Sequence, residues 1–184
     1  MDIGDKCRRI SWRGIRGQIW VETVIYTLIG LAIIGLVLAG ALPKINQKKD
    51  EIAIGRSIEA LGDIDNKIYA VQMAAGSRRV VDLDIKKGVF IINPEEDSIS
   101  WILDSSFEYS EVGTPISFGN MDIITTKDGD YAVELKFEYN VDLRYDGDNF
   151  NEKRFNVAPI FYRLVIDNAG NNGDGDIIID FLEA

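Results

Sequence analysis

The sequence predicts an α+β protein in which a long N-terminal hydrophobic α-helix precedes an antiparallel β-sandwich-like head domain. Two patterns carry this prediction. An uncharged run occupies residues 24–42 and continues into a heptad pattern that ends near residue 76. Beyond residue 79, apolar and polar residues alternate with the period of two that strands show. We therefore expect a leader at residues 1–17, a helix at 18–76 and a β head domain at 77–184.

The predicted helix has two parts with different surroundings. Residues 18–43 are apolar enough for a membrane or a filament core, and residues 44–76 form a stem that packs on the head. The stem carries an a/d heptad seam at Ile54, Ser57, Leu61, Ile64, Ile68, Val71 and Ala75. We expect residues 61–71 to be buried against the head. For residues 45–58, contact with neighbouring subunits is an alternative to burial against the head. Pro43 predicts a kink, and Gly76 suits the end of the helix.

The head is predicted to contain about seven or eight short strands. Alternating or continuous apolar runs occur at 81–85, 89–92, 99–103, 116–118, 121–124, 131–139, 155–157, 161–166 and 177–181. Asp128-Gly129 and Asp146-Gly147 are turn signals between runs, and Gly119-Asn120 suggests a bulge. Short strands at this spacing are typical of an antiparallel sandwich.

Composition excludes several classes of function. The chain of 184 residues has a net charge of −10, and residues 77–184 carry ten basic and 22 acidic residues, a net charge of −12. Nucleic acid is therefore not an expected partner, because phosphate binding needs basic clusters. The chain has no histidine and a single cysteine, Cys7, which removes Ser-His-Asp and Cys-His catalysis and Cys/His zinc sites. No spacing singles out a carboxylate pair, so we expect no enzymatic activity and no cofactor.

One polar loop has the composition of a calcium site. Residues 171–176 read Asn-Asn-Gly-Asp-Gly-Asp. An EF-hand loop that starts at Asn172 would need glycine at its sixth position, where Ile177 stands instead. Because Gly, Asn and Asp are also the residues of tight turns, we expect a solvated turn and no metal.

The N-terminal region predicts a membrane segment with its N-terminus in the cytoplasm. The 19 uncharged residues 24–42 would rise about 28 Å as a helix, roughly one hydrocarbon core. Five basic residues precede the segment and favour a cytoplasmic N-terminus: Lys6, Arg8, Arg9, Arg13 and Arg16. No small-residue cleavage site follows the segment, unlike in a secretory signal peptide. A signal-anchored surface protein, with the β-sandwich as an adhesion or binding domain, is one interpretation.

Glu22 favours a second interpretation. A charged side chain inside a bilayer costs about 2.5–3.5 kcal/mol at the centre and less near the ends. Cleavage after Gly17 would create a new α-amino group on Gln18, four residues before Glu22. In an array of packed helices, the amine of one subunit can pair with Glu22 of its neighbour, which removes the desolvation cost of both charges.

Gly17-Gln18, followed by Glu22 and an apolar helix, resembles the class III signal peptide of archaeal type IV pilins. The resemblance implies that a prepilin peptidase cuts between Gly17 and Gln18, and that Glu22 is the assembly carboxylate at mature position five. A cut after Gly14 would place Ile19 there instead. It further implies a structural subunit of a helical homopolymer, extruded by a pilus assembly ATPase and its membrane platform. The precursor would lie in the cytoplasmic membrane, and the mature chain in an extracellular filament.

Overall fold

The computed structural model describes the backbone of residues 15–184 and the side chains from residue 20 onward. One helix, α1, runs over Ile15–Gln72 and is followed by two β-sheets, so the predicted α+β class with a sheet-based head is confirmed. Pro43 lies inside α1 and does not end it. The chain divides after Ile45 into two compact units, and the second unit comprises Asn46–Ala184.

Ten strands form the two sheets. Their bounds are β1 Arg78–Leu83, β2 Val89–Asn93, β3 Ser98–Ser105, β4 Ile116–Phe118, β5 Met121–Asp128, β6 Asp130–Glu138, β7 Asp142–Tyr145, β8 Lys153–Asn156, β9 Tyr162–Asn171 and β10 Ile177–Glu183. One sheet has four strands in the order β1-β9-β10-β7, and the other has six in the order β4-β5-β6-β3-β2-β8. Both sheets and α1 contribute side chains to one hydrophobic core.

Strand β7 departs from the sequence expectation in two ways. Its four residues are too few for a recognisable alternation, so the sequence predicted no strand at 142–145. In addition, β7 pairs with β10 in parallel, in an otherwise antiparallel set of strand pairs. A parallel partner must come from a distant part of the chain, and local sequence carries no signal for it.

The turns follow local chemistry. Asp146 and Gly147 both have positive φ, and Tyr145 and Asp148 exchange backbone hydrogen bonds across them, which is the geometry of a two-residue hairpin turn. Gly119-Asn120 is also a two-residue turn, between the paired residues Phe118 and Met121, where a bulge was expected.

The heptad seam packs into the head core. Ile54, Leu61, Ile64, Ile68 and Val71 are almost fully buried together with inward-facing residues of both sheets. Burial therefore begins one turn or more before the expected residue 61. It is driven by removal of apolar surface from water.

The helix ends at Gln72, before the expected end at residue 76. Asn168 of β9 is buried, and its side-chain amide donates to the carbonyl of Val71 at 2.8 Å. The amide of Gly76, at φ +75°, donates to the Asn168 carbonyl. A strand residue thus satisfies a carbonyl that the last helical turn leaves without an intrahelical donor.

Candidate functional site

The apolar segment of α1 is exposed along its length. The 18-residue window that makes α1 long and apolar enough to cross a membrane has none of its residues buried. Leu31 and Leu36, for example, are 66% and 75% exposed. Large exposed apolar patches are rare on soluble monomers, and by length and composition this segment fits a membrane anchor.

Glu22 lies in this exposed part of α1, before the uncharged run begins. Among residues 20–184, no cationic side chain forms an ion pair with it. The backbone of Gly17 and Gln18 belongs to the first turns of α1, but the Gln18 side chain, like the leader residues 1–14, lies outside the described part of the chain. Residues four apart share a helix face, so the backbone of Gln18 lies one turn before Glu22 on the same side.

Asp50, a residue of the stem, forms side-chain hydrogen bonds with residues of the head. Its side chain is only 11% exposed, and it accepts hydrogen bonds from the Lys87 ammonium and, at 2.8 Å, from the Ser106 backbone amide. Burial by itself raises the pKa of Asp50, but these hydrogen bonds outweigh it, and the pKa lies below the ordinary value of 3.8. Sequence analysis did not single out Asp50, because its partners lie 37 and 56 residues away.

A groove with basic walls lies on the same part of α1. Its volume is about 290 Å³, and Ile52, Ala53 and the buried Trp101 contribute apolar lining. Its lining has four cations and one carboxylate: Lys49, Arg56, Lys86, Lys87 and Asp84. Lys49 also lines an adjoining cavity whose walls include the carboxylates of Asp104 and Asp130. Lys86 is paired with Asp84, and Lys87 with Asp50, whereas Lys49 and Arg56 form no ion pair with any described residue. Within the acidic second unit, this groove is a local excess of positive charge.

An acidic cleft of about 580 Å³ lies near the loop that joins β9 to β10. Its lining includes four carboxylates and no Lys or Arg: Glu95, Asp97, Asp142 and Asp176. Tyr139, Asn140 and Val141 line this cleft and also a neighbouring cavity beside Asp65 and Tyr69 of α1. The acidic cleft therefore belongs to the end of the stem where α1 terminates.

The loop at residues 171–176, considered above as a calcium loop, is held by its own hydrogen bonds. The Asn172 side-chain oxygen accepts from the amides of Asp174 and Asp176 at 3.0 and 2.9 Å. The Asn172 amide also donates to the Asp176 carbonyl. Asp174 is exposed, and its carboxylate has no hydrogen-bond or ion-pair partner among the described residues. Within residues 15–184, no group of three or more acidic, histidine or cysteine residues is arranged to hold a metal ion.

Comparisons with protein-family models, curated proteins and solved structures found no significant match. The functional argument therefore depends on the geometry of the chain itself. Sequence reasoning singled out Gly17, Gln18 and Glu22, and it missed Asp50 and the basic groove. The seven-residue spacing of Lys49 and Arg56, which places them on one helix face, is a signal that could have indicated one wall of the groove.

Proposed function

We propose that this chain is a structural subunit of an archaeal type IV pilus-like surface filament. In this proposal a prepilin peptidase removes residues 1–17, and the hydrophobic helix assembles the mature chain into a helical homopolymer. The observation that carries the proposal is the fully exposed apolar part of α1 with a single carboxylate, Glu22, at its beginning.

The apolar segment is suited to two successive environments, lipid before assembly and neighbouring helices after it. Before assembly, lipid covers residues 24–42, and Glu22 lies near the cytoplasmic interface, where its charge is less costly than at the bilayer centre. After assembly, neighbouring helices replace the lipid. The new amine of Gln18 then pairs with Glu22 of an adjacent subunit, so two charges that would be costly apart compensate each other. The pairing sets the register between subunits.

The properties of the head fit a position on the outside of such a filament. Its core takes in part of α1, so the helix and the sheets form one folded unit from Asn46 onward. The acidic surface keeps the head soluble and faces the extracellular medium. The peptidase, the assembly ATPase and the membrane platform enter the proposal only through the pilin resemblance.

Mass spectrometry of the native protein tests the processing step. We expect a mature N-terminus at Gln18 in sheared surface filaments. An intact residue 1–17 segment in the membrane fraction, with no filaments, would instead support the signal-anchored surface protein with a β-sandwich binding domain.

Substitution of Glu22 tests the assembly step. Glu22→Val should insert into the membrane normally but yield at least about tenfold fewer filaments, which corresponds to about 1.4 kcal/mol of lost assembly free energy. Tyr26→Phe is the matched control, because Tyr26 lies four residues further on the same helix face and the change removes only a hydroxyl. Filaments in normal numbers from Glu22→Val, counted by electron microscopy, would contradict the assigned role.

A further inference from the structure

We infer that the basic groove beside Lys49 and Arg56 binds the acidic loop at residues 172–176 of a second copy of this chain. This inference rests on the proposed filament and names a second contact within it, between heads. The groove and the loop both belong to the unit Asn46–Ala184, so the inference concerns one folded body and its copy.

The groove and the loop carry charges of opposite sign that have no ion-pair partner among the described residues. Lys49 and Arg56 line the groove without an ion-pair partner among the described residues, while the other two cations of the groove are paired. At the loop, Asp174 is exposed, and within residues 20–184 no side chain forms an ion pair or hydrogen bond with its carboxylate. Complementary charges of this kind steer association and fix the register of an interface.

The groove also has an apolar surface to cover. Ile52 is 54% exposed between Lys49 and Arg56, and Ala53 and Ala60 contribute further apolar lining. An apolar floor with cationic walls suits a narrow loop with a carboxylate at its tip. The glycines Gly173 and Gly175 flank Asp174 and make the loop narrow, since neither has a side chain.

The loop is already held in one conformation. The backbone amides of Asp174 and Asp176 donate hydrogen bonds to the Asn172 side-chain oxygen. The side-chain amide of Asn171 donates to the Gly175 carbonyl at 2.8 Å. A loop that is ordered before binding loses less conformational entropy when it docks, and this favours affinity.

The positions of the two surfaces exclude docking within one chain. The groove lies beside helix residues 49–60, whereas the cleft next to the loop adjoins the cavity at helix residues 65–72. The centres of these two stretches of helix are about 20 Å apart along α1, at a rise of 1.5 Å per residue. A contact between two different surfaces of identical subunits is heterologous: repeated, it closes into a ring or, where the rotation between subunits does not close, extends into a helical array. The second case is the one that the proposed filament requires.

Disulfide cross-linking tests the contact in the full-length chain. Cys7→Ser removes the only cysteine, after which Ile52→Cys in the groove and Gly173→Cys beside Asp174 are introduced together, so that Lys49, Arg56 and Asp174 all keep their charges. Oxidation of sheared filaments should yield a ladder of covalent dimers, trimers and longer products, because each subunit supplies one groove and one loop. Each single-cysteine chain can yield dimers at most. The pair Glu51→Cys and Gly173→Cys is the matched control, with the cysteine on an exposed neighbouring position of α1 outside the groove lining, and it should yield no ladder.

The N-terminus and the filaments are measured in the same samples, so the two proposals can fail separately. Filaments with a mature Gln18 terminus but no ladder would overturn the docking contact and leave the filament proposal standing. Products that stop at dimers would also overturn it, because they indicate a closed symmetric pair. An uncut leader without filaments or ladder would overturn both. A ladder that forms on membrane-bound, uncut chains would retain the contact and overturn the filament proposal.

Discussion

Replacement of Asp50 should uncouple the stem from the head. Asp50→Ala removes the acceptor of two hydrogen bonds, one from the Lys87 ammonium and one from the Ser106 backbone amide. Asp50→Asn keeps an oxygen for the Ser106 amide but removes the charge opposite Lys87. The two variants therefore separate the charged contribution from the neutral one.

The expected loss of stability follows from the burial of each partner. Hydrogen bonds to charged groups contribute about 1.5–3 kcal/mol, and a buried donor left without an acceptor costs about 1–3 kcal/mol. The Lys87 side chain is 34% exposed and regains water when its partner is removed, so the lower values apply to that bond. We expect Asp50→Ala to lower the free energy of unfolding by about 3 kcal/mol, and Asp50→Asn by about 1–2 kcal/mol.

Urea unfolding in detergent measures these changes. Substitution of Trp12 and Trp20 by phenylalanine leaves the buried Trp101 as the sole tryptophan, so fluorescence reports on the head. Glu51→Ala is the control, because its ion pair with Lys48 on the same helix is exposed and should contribute at most about 0.5 kcal/mol. The reasoning is refuted if Asp50→Ala destabilises the head no more than Glu51→Ala does.

The lowered pKa of Asp50 predicts that its contribution to the stability of the head depends on pH. The pKa of Asp50 in the folded chain lies below the ordinary 3.8, so the unfolded chain binds the proton first as the pH falls. The stabilisation by the carboxylate is therefore complete above pH 3.8 and is lost as the pH falls through the folded pKa. The stability difference between the native chain and Asp50→Asn should be constant near neutral pH and shrink below that value. A difference that persists undiminished in strong acid would contradict this origin.

Two further substitutions have matched controls within the chain. Gly88→Ala and Gly129→Ala both place alanine at φ +81°, but only at Gly88 would the new Cβ lie 2.3 Å from a backbone carbonyl oxygen of β3. We expect thermal unfolding to show about 1 kcal/mol of strain at Gly129 and at least about 2 kcal/mol more at Gly88, and equal effects would contradict the steric argument. Asn168→Ala should cost about 2–3 kcal/mol because it removes two hydrogen bonds: the buried one to the Val71 carbonyl, which keeps only a 3.4 Å bond from the Ala74 amide, and the one that Asn168 accepts from the Gly170 amide. Asn66→Ala, which removes a single exposed bond of 2.8 Å, should cost under about 0.5 kcal/mol. Similar unfolding midpoints for both asparagine variants would refute the assigned role of Asn168.

Periodicity was sufficient for the fold class. The alternation at residues 131–139 predicts a strand, and β6 occupies 130–138 with Val133, Leu135 and Phe137 buried on one face. The heptad positions Leu61 and Ile68 are fully buried for the same reason. In both cases a repeat in the sequence matches the repeat of the backbone, so the side chains that must leave water fall on one side.

The periodicity of the sequence did not predict strand β7, the residue at which α1 ends, or the basic groove. Strand β7 is only four residues long and pairs in parallel with β10, more than 30 residues away. Gln72 ends the helix where Asn168 provides a donor from β9. The groove brings Arg56 of α1 close to Lys86, which lies between β1 and β2. Each of these features depends on residues that meet only after the chain has folded.

The sequence by itself determined the class of fold, the apolar segment at residues 24–42 and the place of Glu22 just before it, because hydrophobicity, charge and repeat length are local properties of the chain. The tertiary structure alone decided that Asp50 is buried against Lys87 and Ser106, and that Lys49 and Arg56 have no ion-pair partner among residues 20–184. The reason is physical. The pKa, pairing and exposure of a charged side chain depend on which distant groups surround it, and that is set by the packing of α1 against two sheets.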